Sequence, residues 1–469
     1  MTHVIRQQYL HARVDGTESD ALALQRNLSA LCRNWLAPAI ERALDRVAPP
    51  VGNLCIERLE IDVGTVQLDR LERDLPESVA QGLEKALREQ IPPEASWPGA
   101  GTGNIRHKTR QRCVADAFSH FLTTGCLPWS FRLPKGSTLE QLLLGCGRER
   151  ASLAAVTDAL ACASARDRLV RQFSPAFLEN LLSLLSPEAG KIMAGLLRTL
   201  TDSGLAASER KSLERHLWQT VFAQLAAGRV PTARHLAGAV RDALPAAAKG
   251  YAPLRSALER HLPGAGGKAA ATGDAPLAPN ATASAPENLP SSRQPPGAPA
   301  DHPEAGEGIY IENAGAILLH PFLPQLFETL GIAAKDKLLK PERALCLLHF
   351  LTTGQAVAPE YELPLPKILC GLALQTPVDA DVALTAGERE EALAVLAAVV
   401  GHWDALRDSS ADALRGTFLL RPGKISLRHG DWLLQVQSET CDILLDRLPW
   451  GISAVRLPWM AQMLWVEWR

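Results

Sequence analysis

The chain has 469 residues, 46% of them apolar and 21% charged, with a formal net charge of −2. That length supports two or three domains with sizeable cores, and the near-neutral balance excludes the basic footprint of a nucleic-acid-binding domain. Alanine and leucine dominate while aromatic residues are only 5%, which favours helices over sheets.

Residues 1–15 read as an extended strand that ends at the Asp15-Gly16 turn signal. An amphipathic helix is expected over 18–47, with Leu22, Leu24, Leu28, Leu31, Trp35 and Leu44 near helical spacing. In Cys55–Val63, Leu59, Ile61 and Val63 alternate with Arg58, Glu60 and Asp62, the period-two pattern of a half-buried strand. Gly64 closes that strand and a helix follows over 69–90. The first domain, 1–95, is therefore expected to be a β-α-β-α unit. A loop is expected at 92–104.

Residues 105–262 form an expected second domain of short helices packed as hairpins. Ser174-Pro175 and Ser186-Pro187 each set a cap residue before a first-turn proline. Ser137 and Glu140 have capping-box spacing, and Leu213, Leu217, Val221 and Leu225 share a helix face. Residues 263–307 are rich in Pro, Ala, Gly and Ser with almost no large apolar side chain. Such a stretch cannot bury enough surface to offset ordering entropy, so a disordered linker is expected.

Residues 308–469 are expected to be a helical domain with a small antiparallel β element. The strongly apolar run Ile309–Leu330 starts extended and breaks at Gly315. Thr385 and Glu388 form a capping box before Leu393, Leu396, Ala397 and Val400. Residues 424–427 and 432–437 flank Arg428-His-Gly-Asp431 as a β-hairpin, and 463–468 is a candidate further strand. The fold class is thus α+β and predominantly α-helical. One string recurs: His120–Gly125 and His349–Gly354 are both HFLTTG. Each copy leads through a proline-containing loop to a Leu-rich helix with Cys-Gly, at Cys146 and Cys370, which reads as a repeated helix-loop-helix element.

Motifs of chemistry are weak. Cys346 and His349 share a helix face and Cys370 follows, but a fourth ligand is missing, so core packing is the reading for all three. His402-Trp-Asp404 and Asp442 with Asp446 lie in Trp-rich packing, where buried polar groups answer neighbours. No GxSxG, HExxH or nucleotide-binding glycine loop occurs. The basic run Arg106, His107, Lys108, Arg110, Arg112 has no interleaved aromatics and reads as a solvated segment. An enzyme is not expected, and neither a cofactor nor a metal.

Nine cysteines without a CxxC pair suit a reducing compartment. The N-terminus shows no apolar signal core, and the longest apolar runs fall short of a membrane span, so a cytoplasmic protein is expected. Five of the ten tryptophans lie at or after Trp432. Within that density, Trp450 and Trp459 sit in two Leu-Pro-Trp steps, and together with Trp465 they are the candidate partner contacts.

Several long strings carry a resemblance. HVIRQQYL, ALQRNLSALC and IERLEIDVGTV at the front, and ENAGAILLHPFLPQLFETLG, ERALCLLHFLTTG, PEYELPLPKILCGL, HWDALRDSSADALRGTFL and LLDRLPWGISAVRLPWM at the back, resemble the tape measure family of contractile injection systems. These are phage-tail-like particles that some bacteria assemble. The resemblance covers roughly residues 3–90 and 309–468. It implies a non-enzymatic particle component that helps set inner-tube length, with tube, cap or baseplate proteins as partners. No nucleic acid or membrane insertion is implied. The alternative is a cytoplasmic chaperone or cargo-loading adaptor for such a particle. The helices are too interrupted to be a continuous ruler, so the stretchable candidate is the linker, which could span on the order of 140 Å if fully extended.

Overall fold

The computed structural model describes residues 3–47, 53–90, 105–243 and 308–468, apart from 4, 6, 7, 57, 135, 147–149, 381 and 408. The expected linker at 263–307 lies outside the described residues, as does the loop expected at 92–104. Two compact units divide the chain: Met1–His120 with Leu127–Val156, and Phe121–Cys126 with Thr157–Arg469.

In the first unit, Thr17 opens helix α1 (Glu18–Leu31) by a reciprocal cap. The Asp20 N–H donates to the Thr17 hydroxyl at 3.3 Å, and the Thr17 N–H donates to the Asp20 carboxylate at 3.0 Å. A π-turn, Cys32–Leu36, joins α1 to α2 (Ala37–Val47). A π-turn holds one residue more than an α-turn, so the buried stripe steps from Leu31 to Leu36 and continues through Ala39, Ile40 and Ala43. Trp35, expected on the apolar face, is consequently 46% exposed.

Strand β1 (Asn53–Ile56) is shorter than the expected Cys55–Val63. Leu59, Ile61 and Val63 nevertheless pack on the helical core while Arg58, Glu60 and Asp62 face solvent. The alternation in sequence therefore reports one-sided burial, which needs no ladder. Helix α3 (Leu71–Gln90) supplies Leu75, Val79, Leu83 and Leu87, an i, i+4 ridge packed against α2. Each such buried side chain contributes roughly 1.5–3 kcal/mol. The partner of β1 is β2 (Ile105–Lys108), antiparallel with Asn53 opposite Lys108. Residues 8–15 form no strand.

Helix α4 (Arg110–Thr124) ends at Gly125, and α5 (Leu139–Gly145) opens with a capping box. The box is made by Thr138 and Gln141, one residue on from the Ser137–Glu140 pair that the spacing suggests. Helix α6 (Arg150–Ala159) follows.

The second unit continues with α7 (Ala163–Gln172), α8 (Pro175–Leu185), α9 (Pro187–Thr201), α10 (Ala207–Ala226) and α11 (Ala233–Ala243). The Phe177 N–H donates to the Ser174 hydroxyl at 3.2 Å and the Ala189 N–H to Ser186 at 3.3 Å, the caps expected ahead of each first-turn proline. Leu213, Leu217 and Val221 of α10 are buried as their spacing requires.

After residue 307 the same unit resumes with β3 (Ile309–Ile311) and a fully buried 3₁₀ stretch, Ala314–Leu319. Gly315 is demanded here, because a Cβ would lie 1.7 Å from the Phe418 carbonyl oxygen. Helix α12 (Leu323–Thr329), the small ladder β4 (Ala333–Ala334) with β5 (Lys337–Leu338), α13 (Pro341–Thr353), α14 (Pro364–Leu369) and α15 (Ala386–His402) follow. A short α16 (Ala411–Leu414) runs into a π-turn. Strands β6 (Gly423–Arg428) and β7 (Asp431–Val436) make the expected hairpin. Its two central residues, His429 and Gly430, both have positive φ, the backbone of a tight hairpin turn matched to strand twist. A 3₁₀ segment, Thr440–Arg447, leads to β8 (Ala454–Val455) and β9 (Leu464–Glu467).

The sheet order is β3-β6-β7-β9-β8. Strand β9 lies where a strand is expected, but it pairs parallel to β7, so the expected antiparallel element is a mixed sheet. The protein is a predominantly helical α+β fold. Among the described residues, no helix is long and apolar enough to cross a membrane.

The HFLTTG echo is structural. Gly125 and Gly354 both terminate their helices at positive φ, +80° and +75°. Each copy then turns at a proline, with Phe131 N–H donating to Pro128 O and Glu362 N–H to Pro359 O. A buried arginine clamps the same carbonyl in both: Arg168 donates to Leu122 O, and Arg415 Nε to Leu351 O at 3.0 Å.

Candidate docking surface

The inner face of the sheet carries Ile425, Leu434, Val466 and Trp468 into the main core. Asp442 is fixed beneath it. Its carboxylate accepts from Arg421 Nη2 at 2.8 Å, Trp468 Nε1 at 3.2 Å and the Glu439 N–H at 2.8 Å. Trp403 is buried against Phe418 and donates to Leu444 O. These tryptophans and Asp442 hold the C-terminal segment on the helices.

The outer face is different. Trp465 of β9 lies beside Ala454 of β8 and Leu433 of β7 in register. It is 49% exposed, and its Nε1 donates to Asp431 Oδ2 at 3.3 Å. Leu433 is only 8% exposed although it stands outside the main core, so this apolar spot is already partly covered. The neighbouring row is polar: Lys424 reaches over the Tyr310 ring, and Gln435 donates to Glu467 at 2.8 Å. Trp465 thus stands half exposed beside a polar ladder.

The two Leu-Pro-Trp tryptophans sit elsewhere, half-buried on the same unit. Trp450 meets Phe322 edge-on at 5.3 Å, and its buried Nε1 finds no acceptor among the described residues. Trp459 stacks on Phe327 at 5.5 Å and donates to Leu369 O at 2.8 Å. Gly371, at φ +66°, lets the Trp459 carbonyl approach, since a Cβ there would lie 2.6 Å from it. Packing and exposure are therefore split among the three residues.

The residues weighed for catalysis or metal binding have structural partners. His402 Nδ1 contacts Ala398 O of its own helix, while Asp404 pairs with Arg407. His349 Nε2 contacts Glu362 at 2.8 Å. Burial pushes the Cys346 thiol up to about 11 and raises the Cys370 thiol as well. Among the described residues, no group of three His, Cys, Asp or Glu could hold a metal.

Sequence reasoning missed a second feature of this unit. Arg168 and Glu360 are fully buried and Lys367 is 1% exposed. Glu360 accepts from Arg168 Nε at 3.0 Å and from Lys367 Nζ at 2.6 Å. The remaining donors go to carbonyls, Arg168 Nη2 to Gln375 O at 2.6 Å and Lys367 Nζ to Leu374 O at 2.7 Å. Burial lowers the Lys367 ammonium's pKa, with Glu360 opposing that shift. The available signal was a lysine set among leucines and prolines in LPLPKILCG.

A family model described as contractile injection system tape measure protein matches residues 2–468. The chain belongs to that family: it is a tape-measure-type structural protein of contractile injection systems. No curated protein and no solved structure gives a match.

Proposed function

We propose that this protein helps set inner-tube length during assembly of a contractile injection particle, through contacts with tube, cap or baseplate proteins and without catalysing a reaction. It is made in the cytoplasm and joins the particle there. The observation that carries this reading is the family match over residues 2–468. Trp465 on the outer sheet face is the leading partner contact, and the exposed edges of Trp450 and Trp459 are secondary ones.

Mass spectrometry of purified particles tests the proposal. A fixed low copy number per particle is expected. Absence from mature particles would instead favour a chaperone or cargo-loading adaptor.

A further inference from the structure

Residues 157–243 and 308–468 belong to one compact unit, although 64 intervening residues separate them in sequence. Their contact is specific. Gln172 uses both ends of its amide: Nε2 donates to Val378 O at 2.7 Å, and Oε1 accepts from the Glu360 N–H at 2.8 Å. Asp379 receives Arg215 at 2.7 Å and lies 3.6 Å from Arg171. Arg168 brings the fully buried guanidinium and Glu360 the fully buried carboxylate, one from each side. Gly125 closes the approach, since a Cβ there would stand 2.7 Å from Glu360 Oε1.

A buried pair hydrogen-bonded at every nitrogen specifies one partner geometry, because any other arrangement leaves charge uncompensated. We propose that this junction is a self-standing intramolecular interface. It keeps the two stretches joined as one body without the covalent chain between them. Ala243 and Gly308, which flank 244–307, then lie on that one body. With both flanks on one body, the length of 244–307 is not expected to enter any measured length. The inference deepens the length-setting reading but is tested apart from it, on isolated protein.

The experiment inserts a protease site within 263–307 of the full chain, cleaves it, and follows the fragments by size-exclusion chromatography. The cut wild type should elute as one species at the intact mass and melt as the uncut protein does. Fragments that separate or precipitate at micromolar concentration would overturn the proposal. In Glu360→Ala the cations Arg168 and Lys367 lose their shared counter-charge, so the fragments should bind about a hundredfold more weakly or more. If that variant is insoluble, Gln172→Ala with Asp379→Ala at the wetter rim replaces it. Weakened association of that pair supports the junction, and association equal to wild type contradicts it. Failure here would leave the family assignment and the particle-copy test untouched.

Discussion

Glu388 shows how one carboxylate can organise a helix start. It closes the capping box with Thr385, accepting from the Thr385 N–H at 2.7 Å, and it accepts from Arg343 Nε at 2.7 Å. The Arg343 hydrogen bond first, and those from Thr385, hold its carboxyl down to about 2 from 4.5. A folded-state value below the unfolded one means stability present above about pH 4.5 and lost as pH falls through about 2. Glu388→Ala should cost about 1–3 kcal/mol at neutral pH. In urea titrations across pH, that deficit should shrink below pH 4.5 and vanish near 2. A constant deficit at every pH would contradict the assignment.

The tryptophans separate on the same scale. Trp459 is stacked and hydrogen-bonded, so Trp459→Ala should cost about 3 kcal/mol and increase protease sensitivity. Trp465 is half exposed, so Trp465→Ala should lower stability by less than about 1 kcal/mol. Its expected effect is a loss of incorporation into particles at unchanged melting temperature. A Trp465→Ala protein that melts early, or that joins particles normally, would remove it from the docking surface.

At the scale of elements, local chemistry was the legible part. The caps at Ser174, Ser186 and Thr385, the hairpin turn at His429-Gly430 and the paired glycine stops of HFLTTG are set by nearest neighbours in sequence. What escaped is non-local. The parallel partner of β9 and the Arg168–Glu360 pair, 192 residues apart, depend on which surfaces meet. The π-turn at Cys32–Leu36 shifted the periodicity by one residue and so exposed Trp35, while Leu22 of the expected face is exposed ahead of it. Of the three candidate contacts, the density of tryptophan was readable, but the half-burial of both Trp450 and Trp459 was not.

The repeated clamp offers a test at this scale. Arg415 donates to the carbonyls of both Leu351 and Phe350 at the end of α13, while its Nη1 pairs with Asp412. Arg415→Met should leave the Leu351 carbonyl without its donor, Phe350 O keeping the Gly354 N–H, and cost about 1–3 kcal/mol by denaturant titration. A loss below about 0.5 kcal/mol would mean that the clamp is not structural.

At the scale of the whole molecule, the family gives the class of particle protein, and the proposed junction constrains how a length-setting role would be met. With Ala243 and Gly308 on one body, the proposed junction predicts that stretching 244–307 sets no length. On the proposed function, length is then set by its folded surfaces or through its copies and partners. The extended-linker idea and the single-body account differ here by on the order of 140 Å of tube.

The most direct measurement is therefore tube length in electron micrographs of particles assembled in three backgrounds: without this protein, with residues 263–307 deleted, and with them duplicated. The account predicts lost or broadened length control without the protein, and wild-type tube length in both variants. Normal lengths in its absence would contradict a length-setting role, and tubes that shorten and lengthen in step with the segment would contradict the single-body account.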